Sequence, residues 1–398
     1  MSKNYYFDHA ATTPCSASAL KTFTFYATQE YGNPSSTHQM GIKASEILSQ
    51  SRFFFGEYFN VESEQVIFTS SGTEADNLAV FGTAYPHWLC SKSTVGNKRI
   101  VVSSIEHPAV LQAAASLKEL GFDVQLAPVD PHGLIDLNAY QKLLTPETIL
   151  VSIMKVNNIV GSINDVEKLA QLAKEVSPNC IFHTDAIQAF GKVKLPTSKS
   201  SVDLVSLSGH KIYAPKGIGA LIFLNKKLLE PSCFRPLFFG GGQEFGMRPG
   251  TQSPSLIGAF LTAAKDAVTD FSKNFDKVKK LQNHLKDKLN QKNLLTSKLS
   301  WNSPEGAIPH ITNLSLKGIP SGPIAKLLNE RHCFLSTGSA CSSKKSAPDH
   351  VLKAMNFSSE LCQSTLRVSL SPYHTSEEVD YLVQSLNDSI KEFEAIFQ

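Results

Sequence analysis

Short apolar segments alternate with longer amphipathic segments between residues 65 and 225. The apolar segments are rich in β-branched residues and are bounded by turn residues, a pattern typical of buried strands. The segments between them, such as 74–85, 109–120 and 166–176, have the spacing of helices. This alternation predicts an α/β fold with a mostly parallel, seven-stranded sheet and helices on both faces. The predicted strands are 65–69, 99–103, 123–127, 149–153, 180–183, 203–207 and 220–224.

The pattern changes after residue 256. Apolar residues recur every three or four positions from 256 to 294, which predicts one or two long helices, and the Lys and Asp residues opposite them predict a solvated surface. We therefore expect a large α/β domain at residues 15–259. Residues 1–14 and 260–398 are expected to form a smaller α+β domain.

Composition and charge narrow the class of protein. Of the 398 residues, 42% are hydrophobic and 18% are charged, which is an ordinary globular balance. The net charge is only +3, so bulk charge gives no support for a nucleic-acid partner or an anionic membrane surface. No apolar run approaches the ~18 residues that span a bilayer, and we expect no membrane partner.

The N-terminus and the cysteines indicate the compartment. The first fourteen residues lack both the apolar stretch of a signal peptide and the Arg-rich character of a transit peptide. The seven cysteines are odd in number and include no C-x-x-C pair, so we expect reduced thiols rather than disulfides or a zinc ribbon. The expectation is a cytoplasmic protein without a resident metal site.

We expect ligand-binding residues in the segments after the predicted strands, because open α/β sheets bind ligands beyond the carboxyl ends of their strands. Residues 70–77 begin a helix with Ser and Gly, so free backbone N–H groups favour an anion or phosphate there; an ordinary N-cap turn is the alternative. His107 follows the next strand, where its ring either stacks on a flat cofactor or carries a proton. A structural histidine is the alternative.

Two charged residues complete the pattern. Asp185 lies just past a buried strand, where a carboxylate needs a cationic partner; the alternative is a helix N-cap. Lys211 follows the next strand, where partial desolvation favours Schiff-base chemistry; the alternative is a surface lysine. A phosphate-binding helix start, a stacking His, a buried Asp and a strand-end Lys are together what pyridoxal 5′-phosphate (PLP) requires.

With this set identified, the sequence resembles the cysteine desulfurases of the class V aminotransferase group, within the PLP-dependent transferases of fold type I. The likeness runs along nearly the whole chain and includes the segment Ser208-Gly-His-Lys211. The other shared segments are 8–14, 32–38, 69–77, 106–107, 156–158, 183–188, 215–219, 240–244, 248–251, 338–341 and 366–369.

The resemblance implies a role for each site residue. Lys211 carries the cofactor, Asp185 pairs with the ring nitrogen and His107 stacks on the ring. Arg367 binds the substrate carboxylate, for which a bidentate guanidinium is suited. Asn158 and Gln188 are implied to contact the oxygen side of the ring and the substrate. The phosphate is implied to be held by Gly72, Thr73, Ser208 and His210. Thr251 is implied to reach the phosphate of the neighbouring subunit's cofactor, which implies a homodimer.

The implied activity is removal of sulfur from L-cysteine, giving L-alanine and a persulfide on Cys341. Lys211, His107 and Cys341 are the implied catalytic residues. The sulfur then passes to an acceptor protein such as an iron–sulfur scaffold, or into tRNA thiolation, and Cys341 is also a candidate ligand of a transient iron–sulfur cluster. Residues 336–346 are small and polar, which predicts a mobile loop, and Lys344 and Lys345 either lower the thiol pKa or only keep the loop soluble.

Three departures from the family pattern stand out. Ile159 replaces the usual Glu, Asn164 replaces the usual Gln, and Ser371-Pro372 replaces a usual Gly-Arg. The first two bear on substrate preference or rate. One alternative is a selenocysteine lyase. A second is another PLP-dependent lyase or aminotransferase, which would not need a thiol on a Gly-Ser segment. A third is a non-catalytic scaffold, but the intact Lys, Asp, His and Cys argue against it.

Overall fold

The computed structural model describes residues 3–90, 95–291, 297–337 and 350–397. Cys341, Lys344 and Lys345 lie outside these residues. Within them the strands are β1 (Tyr5–Tyr6), β2 (Val66–Thr69), β3 (Arg99–Ser103), β4 (Asp123–Ala127), β5 (Thr148–Ser152), β6 (Ile181–Asp185), β7 (Leu204–Ser208), β8 (Gly219–Phe223), β9 (Leu299–Trp301), β10 (Ile311–Leu316), β11 (Cys333–Phe334) and β12 (Thr365–Ser369).

Helices alternate with these strands along the chain. A short 3-10 turn, Gly209–Lys211, follows β7 directly. The α-helices are α1 (Ala17–Thr28), α2 (Gln39–Phe59), α3 (Gly72–Cys90), α4 (Pro108–Glu119), α5 (Leu137–Leu143), α6 (Val166–Val176), α7 (Pro254–Thr269), α8 (Phe271–Gln291), α9 (Ser321–Glu330), α10 (His350–Ala354), α11 (Ser359–Gln363) and α12 (Ser376–Phe397).

Seven strands form the central sheet, in the order β2-β8-β7-β6-β5-β3-β4. Only β8 runs antiparallel to its neighbours in this sheet. The predicted mostly parallel seven-stranded sheet is therefore confirmed. The carboxyl ends of β2, β3, β5, β6 and β7 lie at one edge, where the sequence predicted a ligand site.

Helices cover both faces of this sheet. Side chains alternate between the faces along a strand, so Val101 of β3 packs in one hydrophobic core while Ile100 and Val102 pack in the other. The first core contains residues of α2, α6 and α7, and the second contains residues of α3 and α4. The short apolar segments of the sequence thus correspond to strands that are buried on both faces of the sheet, as predicted.

A second layer holds the ends of the chain. Strands β12, β10 and β9 form an antiparallel sheet, and β1 pairs in parallel with β11. Apolar residues of α8, α9 and α12 pack on this sheet in a third core. The contacts of β1 with β11 bring the N-terminus to the same layer as the C-terminal elements, although the division into two domains stays a prediction.

The boundaries of several elements differ from those predicted. The strand predicted at 180–183 extends to Asp185, because pairing with β7 continues through Thr184 and Asp185. The amphipathic stretch 256–294 forms two helices, α7 and α8, which meet at Asp270. In the described part of the chain, no helix is both long enough and apolar enough to span a membrane.

Candidate active site

A cavity of about 500 Å³ lies at the carboxyl edge of the sheet. Most of the predicted site residues line it together, although they come from six separate segments of the chain. They are Gly72, Thr73, His107, Asn158, Asp185, Gln188, Ser208, His210, Lys211 and Arg367. Thr251 does not line this cavity and is exposed, and Cys341 lies outside the described residues.

The 3-10 turn after β7 presents Lys211 to the cavity. This turn packs so closely that a Cβ atom on Gly209 would lie 2.8 Å from Ile218 and 3.0 Å from Ala214. The Nζ atom of Lys211 donates hydrogen bonds to the carbonyl oxygens of Ala10, at 2.5 Å, and Ala11, at 2.7 Å. The N-terminal segment therefore fixes the position of the lysine amino group.

Asp185 is the last residue of β6 and is only 5% exposed. Its Oδ1 atom accepts a hydrogen bond from the backbone N–H of Ile187 at 2.8 Å. Burial raises the pKa of Asp185 to about 6, while this hydrogen bond and the charge of Lys211 act in the opposite direction. A carboxylate in such a place gains stability from a cationic N–H group brought next to it, which is what a protonated pyridine ring offers.

His107 is the N-cap of α4. Its Nδ1 atom accepts a hydrogen bond from the backbone N–H of Ala109 at 3.1 Å, so the proton of the neutral ring is on Nε2. Burial, together with the charges of Lys211 and His350, lowers the pKa of His107 to about 4. The ring is neutral at pH 7 and flat, which suits it to stack on an aromatic cofactor.

The start of α3 has the features of an anion site. The first backbone N–H groups of this nineteen-residue helix face no helical acceptor. Nearby, the hydroxyl of Ser208 is buried and has no hydrogen-bond partner among the described residues. A Cβ atom on Gly72 would lie 2.2 Å from the Cδ1 atom of Ile187, so a larger residue at this helix start would require the Ile187 side chain to shift. The donors and the unpaired hydroxyl fit a phosphate group.

Comparison with known proteins assigns the chain to a family. The family model described as Aminotransferase class-V matches residues 5–382. This chain belongs to the class V aminotransferases. Members of this family depend on PLP, and the cavity described above contains a lysine, a carboxylate, a flat ring and the start of a helix suited to an anion.

Individual relatives place the chain among the cysteine desulfurases of the family. It is 33% identical over 397 residues to the cysteine desulfurase IscS of Dictyoglomus turgidum, covering 100% of this chain and 97% of the relative. It is 35% identical over 388 residues to the mitochondrial cysteine desulfurase of Saccharomyces cerevisiae, covering 97% of this chain and 75% of that protein. These proteins share its fold type I architecture.

Solved structures agree with this placement. A structure named a NifS-like protein superposes with a TM-score of 0.88 at 32% identity, and covers 98% of this chain and 100% of its own. A structure titled SspA in complex with cysteine superposes with a TM-score of 0.80 at 30% identity, and covers 93% of this chain and 100% of its own.

The departures from the family pattern have distinct environments. Asn164 is buried outside the cavity, where its Oδ1 atom accepts from Ile135 N–H at 3.2 Å and its Nδ2 atom donates to the Met154 carbonyl at 3.1 Å. Ile159 is 2% exposed and gives the cavity an apolar wall. Ser371 pairs through its hydroxyl with that of Tyr213 at 2.7 Å. Asn164 thus shapes the framework, and Ile159 borders the ligand space directly.

Sequence reasoning missed a buried polar network beneath Asp185. His183 is fully buried, with its Nδ1 atom 2.8 Å from the hydroxyl of Ser152 and its Nε2 atom 2.9 Å from that of Ser206. Asp76 lies 3.7 Å from His183, and neither of its carboxyl oxygens has a hydrogen-bond partner among the described residues. Burial raises the pKa of Asp76 well above its usual range, and the charge of Asp185 acts in the same direction, while the Ser206 hydroxyl acts against them.

The neutral state of His183 makes the stability of the protein depend on pH. Burial lowers the pKa of His183 from 6.5 to about 3, so between these values only the unfolded chain takes up this proton. Stability from this group is complete above pH 6.5 and falls as the pH is lowered, by up to about 1.4 kcal/mol per pH unit.

We expect urea midpoints measured at pH 7, 6 and 5 to fall more steeply for the native protein than for His183→Gln, which cannot take up that proton. Equal slopes for the two proteins would contradict this account of His183.

Proposed function

We propose that this chain acts as a PLP-dependent cysteine desulfurase, which converts L-cysteine to L-alanine and holds the released sulfur as a persulfide on Cys341. The observation that carries the proposal is the convergence of Lys211, Asp185, His107 and Arg367 on one cavity at the carboxyl edge of the sheet. These four side chains supply covalent attachment, charge pairing, stacking and carboxylate binding, in a chain whose relatives are cysteine desulfurases.

The residues that would hold the cofactor divide by the part they contact. Bound PLP supplies an electron sink for the bond-breaking steps at the substrate's α-carbon. Asp185 would keep the ring nitrogen protonated, His107 would cover one face of the ring, and Asn158 and Gln188 would contact its oxygen side. Gly72, Thr73, Ser208 and His210 would surround the phosphate, at the anion site that the start of α3 provides.

Lys211 would move the proton of the reaction. Its Nζ atom would hold the cofactor covalently and, once the amine of the substrate has taken its place, would accept the α-proton of the substrate. The carbonyl oxygens of Ala10 and Ala11 keep that amine at the cavity while it is free. Arg367 would hold the substrate carboxylate, which fixes the direction of the α-proton toward Lys211.

The sulfur step needs a thiolate. The Cys341 thiolate attacks the sulfur atom of the substrate, an S–S bond forms, and the Cβ–S bond breaks with its electron pair left on carbon. Protonation of that carbon gives the methyl group of L-alanine. Cys341 follows Ser336 by five positions, and five extended residues span about 17 Å at most, so the proposal requires the thiol to act within that distance of the substrate carboxylate site beside Ser336.

The acceptor, the oligomer and the compartment belong to the same proposal. The relatives' names support transfer of sulfur to a scaffold for iron–sulfur clusters, with tRNA thiolation as a second route. A homodimer is supported by exposed Phe239, which is 79% accessible, and by Phe238 and Phe245 near Thr251. Thr251 would then serve the partner subunit's cofactor. The proposed compartment is the cytoplasm, because the six cysteines of the described residues are free thiols.

A single assay tests the proposal. The protein is incubated with L-cysteine, and alanine and protein-bound persulfide are measured together. Without a reductant we expect about one alanine and one persulfide per subunit, because each thiol accepts one sulfur. With a thiol reductant present, alanine formation should continue. L-serine is the matched control, since it has the same carboxylate and amine but no sulfur.

Two outcomes would contradict the proposed activity. Pyruvate in place of alanine would show elimination rather than sulfur abstraction. Turnover of L-selenocysteine without any turnover of L-cysteine would favour the selenocysteine lyase, which the relatives found by comparison do not support.

A further inference from the structure

Three distant segments of the chain meet at Arg367. Strand β12 contains Arg367, and the backbone N–H of this residue donates to the carbonyl of Ser336 at 2.8 Å. On the other side, Asp8 forms a parallel bridge with Ser369, whose N–H donates to the carbonyl of Phe7 at 2.7 Å. Backbone pairing therefore places the side chains of Asp8 and Ser336 next to the guanidinium group.

The three side chains form a closed set of hydrogen bonds. The Nη2 atom of Arg367 donates to Asp8 Oδ1 at 2.8 Å and to Ser336 Oγ at 3.0 Å. The Ser336 hydroxyl lies 2.8 Å and 2.9 Å from the two carboxylate oxygens of Asp8 and donates to that carboxylate. Arg367 is 2% exposed, so this carboxylate is the charge that compensates a buried cation.

Not all N–H donors of the Arg367 guanidinium group are used by neighbouring residues. Arginine has five N–H donors in a fixed plane. Two on Nη2 are used by Asp8 and Ser336, and one on Nη1 donates to the Asn158 carbonyl at 3.0 Å. The Nε donor is buried and has no hydrogen-bond partner among the described residues, and the second Nη1 donor makes no hydrogen bond to them either. Because the Nε donor is buried, the second Nη1 donor is the one left for a carboxylate in the cavity that Arg367 lines.

We propose that Asp8 is a positioning residue, which orients the Arg367 guanidinium for the carboxylate of the substrate. The proposal rests on the role given to Arg367 in the proposed function. An arginine side chain has several rotatable bonds, and an unpaired guanidinium would turn toward any other acceptor. The Asp8 carboxylate fixes the plane of the group and neutralises its charge before a ligand arrives, so ligand binding need not pay for ordering it.

The test compares two ligands that differ only by a carboxylate. L-alanine and ethylamine share the amine and the methyl group, and both alter the visible absorbance of the bound cofactor when their amines displace Lys211. We expect Asp8→Ala to weaken L-alanine binding by about tenfold, the effect of one lost charge-assisted interaction, and to leave ethylamine within about twofold. The KM for L-cysteine should rise more than kcat falls.

Two further variants keep the test decisive if Asp8→Ala folds poorly. Asp8→Asn keeps the shape and an acceptor oxygen, and Ser336→Ala removes the hydroxyl that links the two charged groups, so each should lose part of the preference for L-alanine. Lys3→Met is the control on the same N-terminal segment, where Lys3 pairs with Glu378 and lies over the Tyr5 ring, away from Arg367, and it should match the wild-type protein.

The outcomes separate this proposal from the function on which it rests. A wild-type preference for L-alanine that persists unchanged in all three variants would overturn the role of Asp8 and leave that of Arg367 intact. A wild-type protein that binds L-alanine and ethylamine equally would overturn the Arg367 assignment itself. A selective loss of L-alanine binding in Asp8→Ala or Asp8→Asn supports the proposal.

Discussion

Replacing Lys211 with alanine is expected to abolish covalent attachment of the cofactor and to lower alanine formation from L-cysteine by about 10⁴-fold or more. The side chain has two roles in the proposed reaction, since it binds the cofactor and then carries the α-proton. Among the described residues no neighbouring group is placed to take over both, because Asp185 is proposed to pair with the ring nitrogen and the pKa of the buried His107 is lowered to about 4.

Borohydride reduction followed by mass measurement checks the attachment directly. The wild-type chain should retain the mass of the reduced cofactor after unfolding, and Lys211→Ala should not. Lys194→Ala is a matched control, because Lys194 is an exposed lysine on a loop that does not line the cavity. Cofactor trapped in Lys211→Ala at wild-type levels would refute the assignment of the lysine.

The parts of the fold that the sequence predicts are those set by local patterns. Strands β3 and β4 and helix α6 have the bounds that their apolar periodicity predicts. The order of the sheet has no such local basis. Strand β8 inserts antiparallel between β2 and β7, a pairing that joins residues about 150 positions apart and leaves no trace in either strand's own sequence.

The candidate site shows the same division. Lys211, Asp185 and His107 lie at strand ends, so the connection between strand ends and ligand sites was enough to single them out. The carbonyl oxygens of Ala10 and Ala11 that hold Lys211 come from some 200 residues away. Backbone acceptors carry no residue type that could mark them in a sequence, so only the folded chain shows their part.

Asp76 is a residue that the sequence could have indicated. It falls on the buried face of α3, four positions before Val80 and seven before Thr83, both of which are buried. Burial of a carboxyl group on the apolar face of a helix costs free energy unless the group is paired, so Asp76 stands out at this spacing. Asp8 begins one of the segments shared with the family, but its partner could not be read from that segment, because Arg367 lies 359 positions later in the chain.

Replacing Cys341 with serine is expected to abolish both persulfide and alanine formation while leaving the cofactor bound as in the wild-type protein. The residues proposed to hold the cofactor all lie in other segments, so the spectrum of the bound cofactor should not change. A serine hydroxyl stays protonated near neutral pH and has no thiolate form to attack a sulfur atom. The substrate should therefore bind and exchange its α-proton without losing sulfur.

Exchange of the α-proton is the measurement that isolates this step. In deuterated water, Cys341→Ser should incorporate deuterium at the α-carbon of L-alanine at the wild-type rate, because Lys211 performs that transfer alone, while alanine release from L-cysteine falls by at least about 10³-fold. Cys90→Ser, which removes an exposed thiol away from the cavity, should behave as wild type in both assays. Persulfide formed at normal rates in Cys341→Ser would move the nucleophile to another cysteine, and loss of deuterium exchange would mean that Cys341 also shapes the cavity in which Lys211 works.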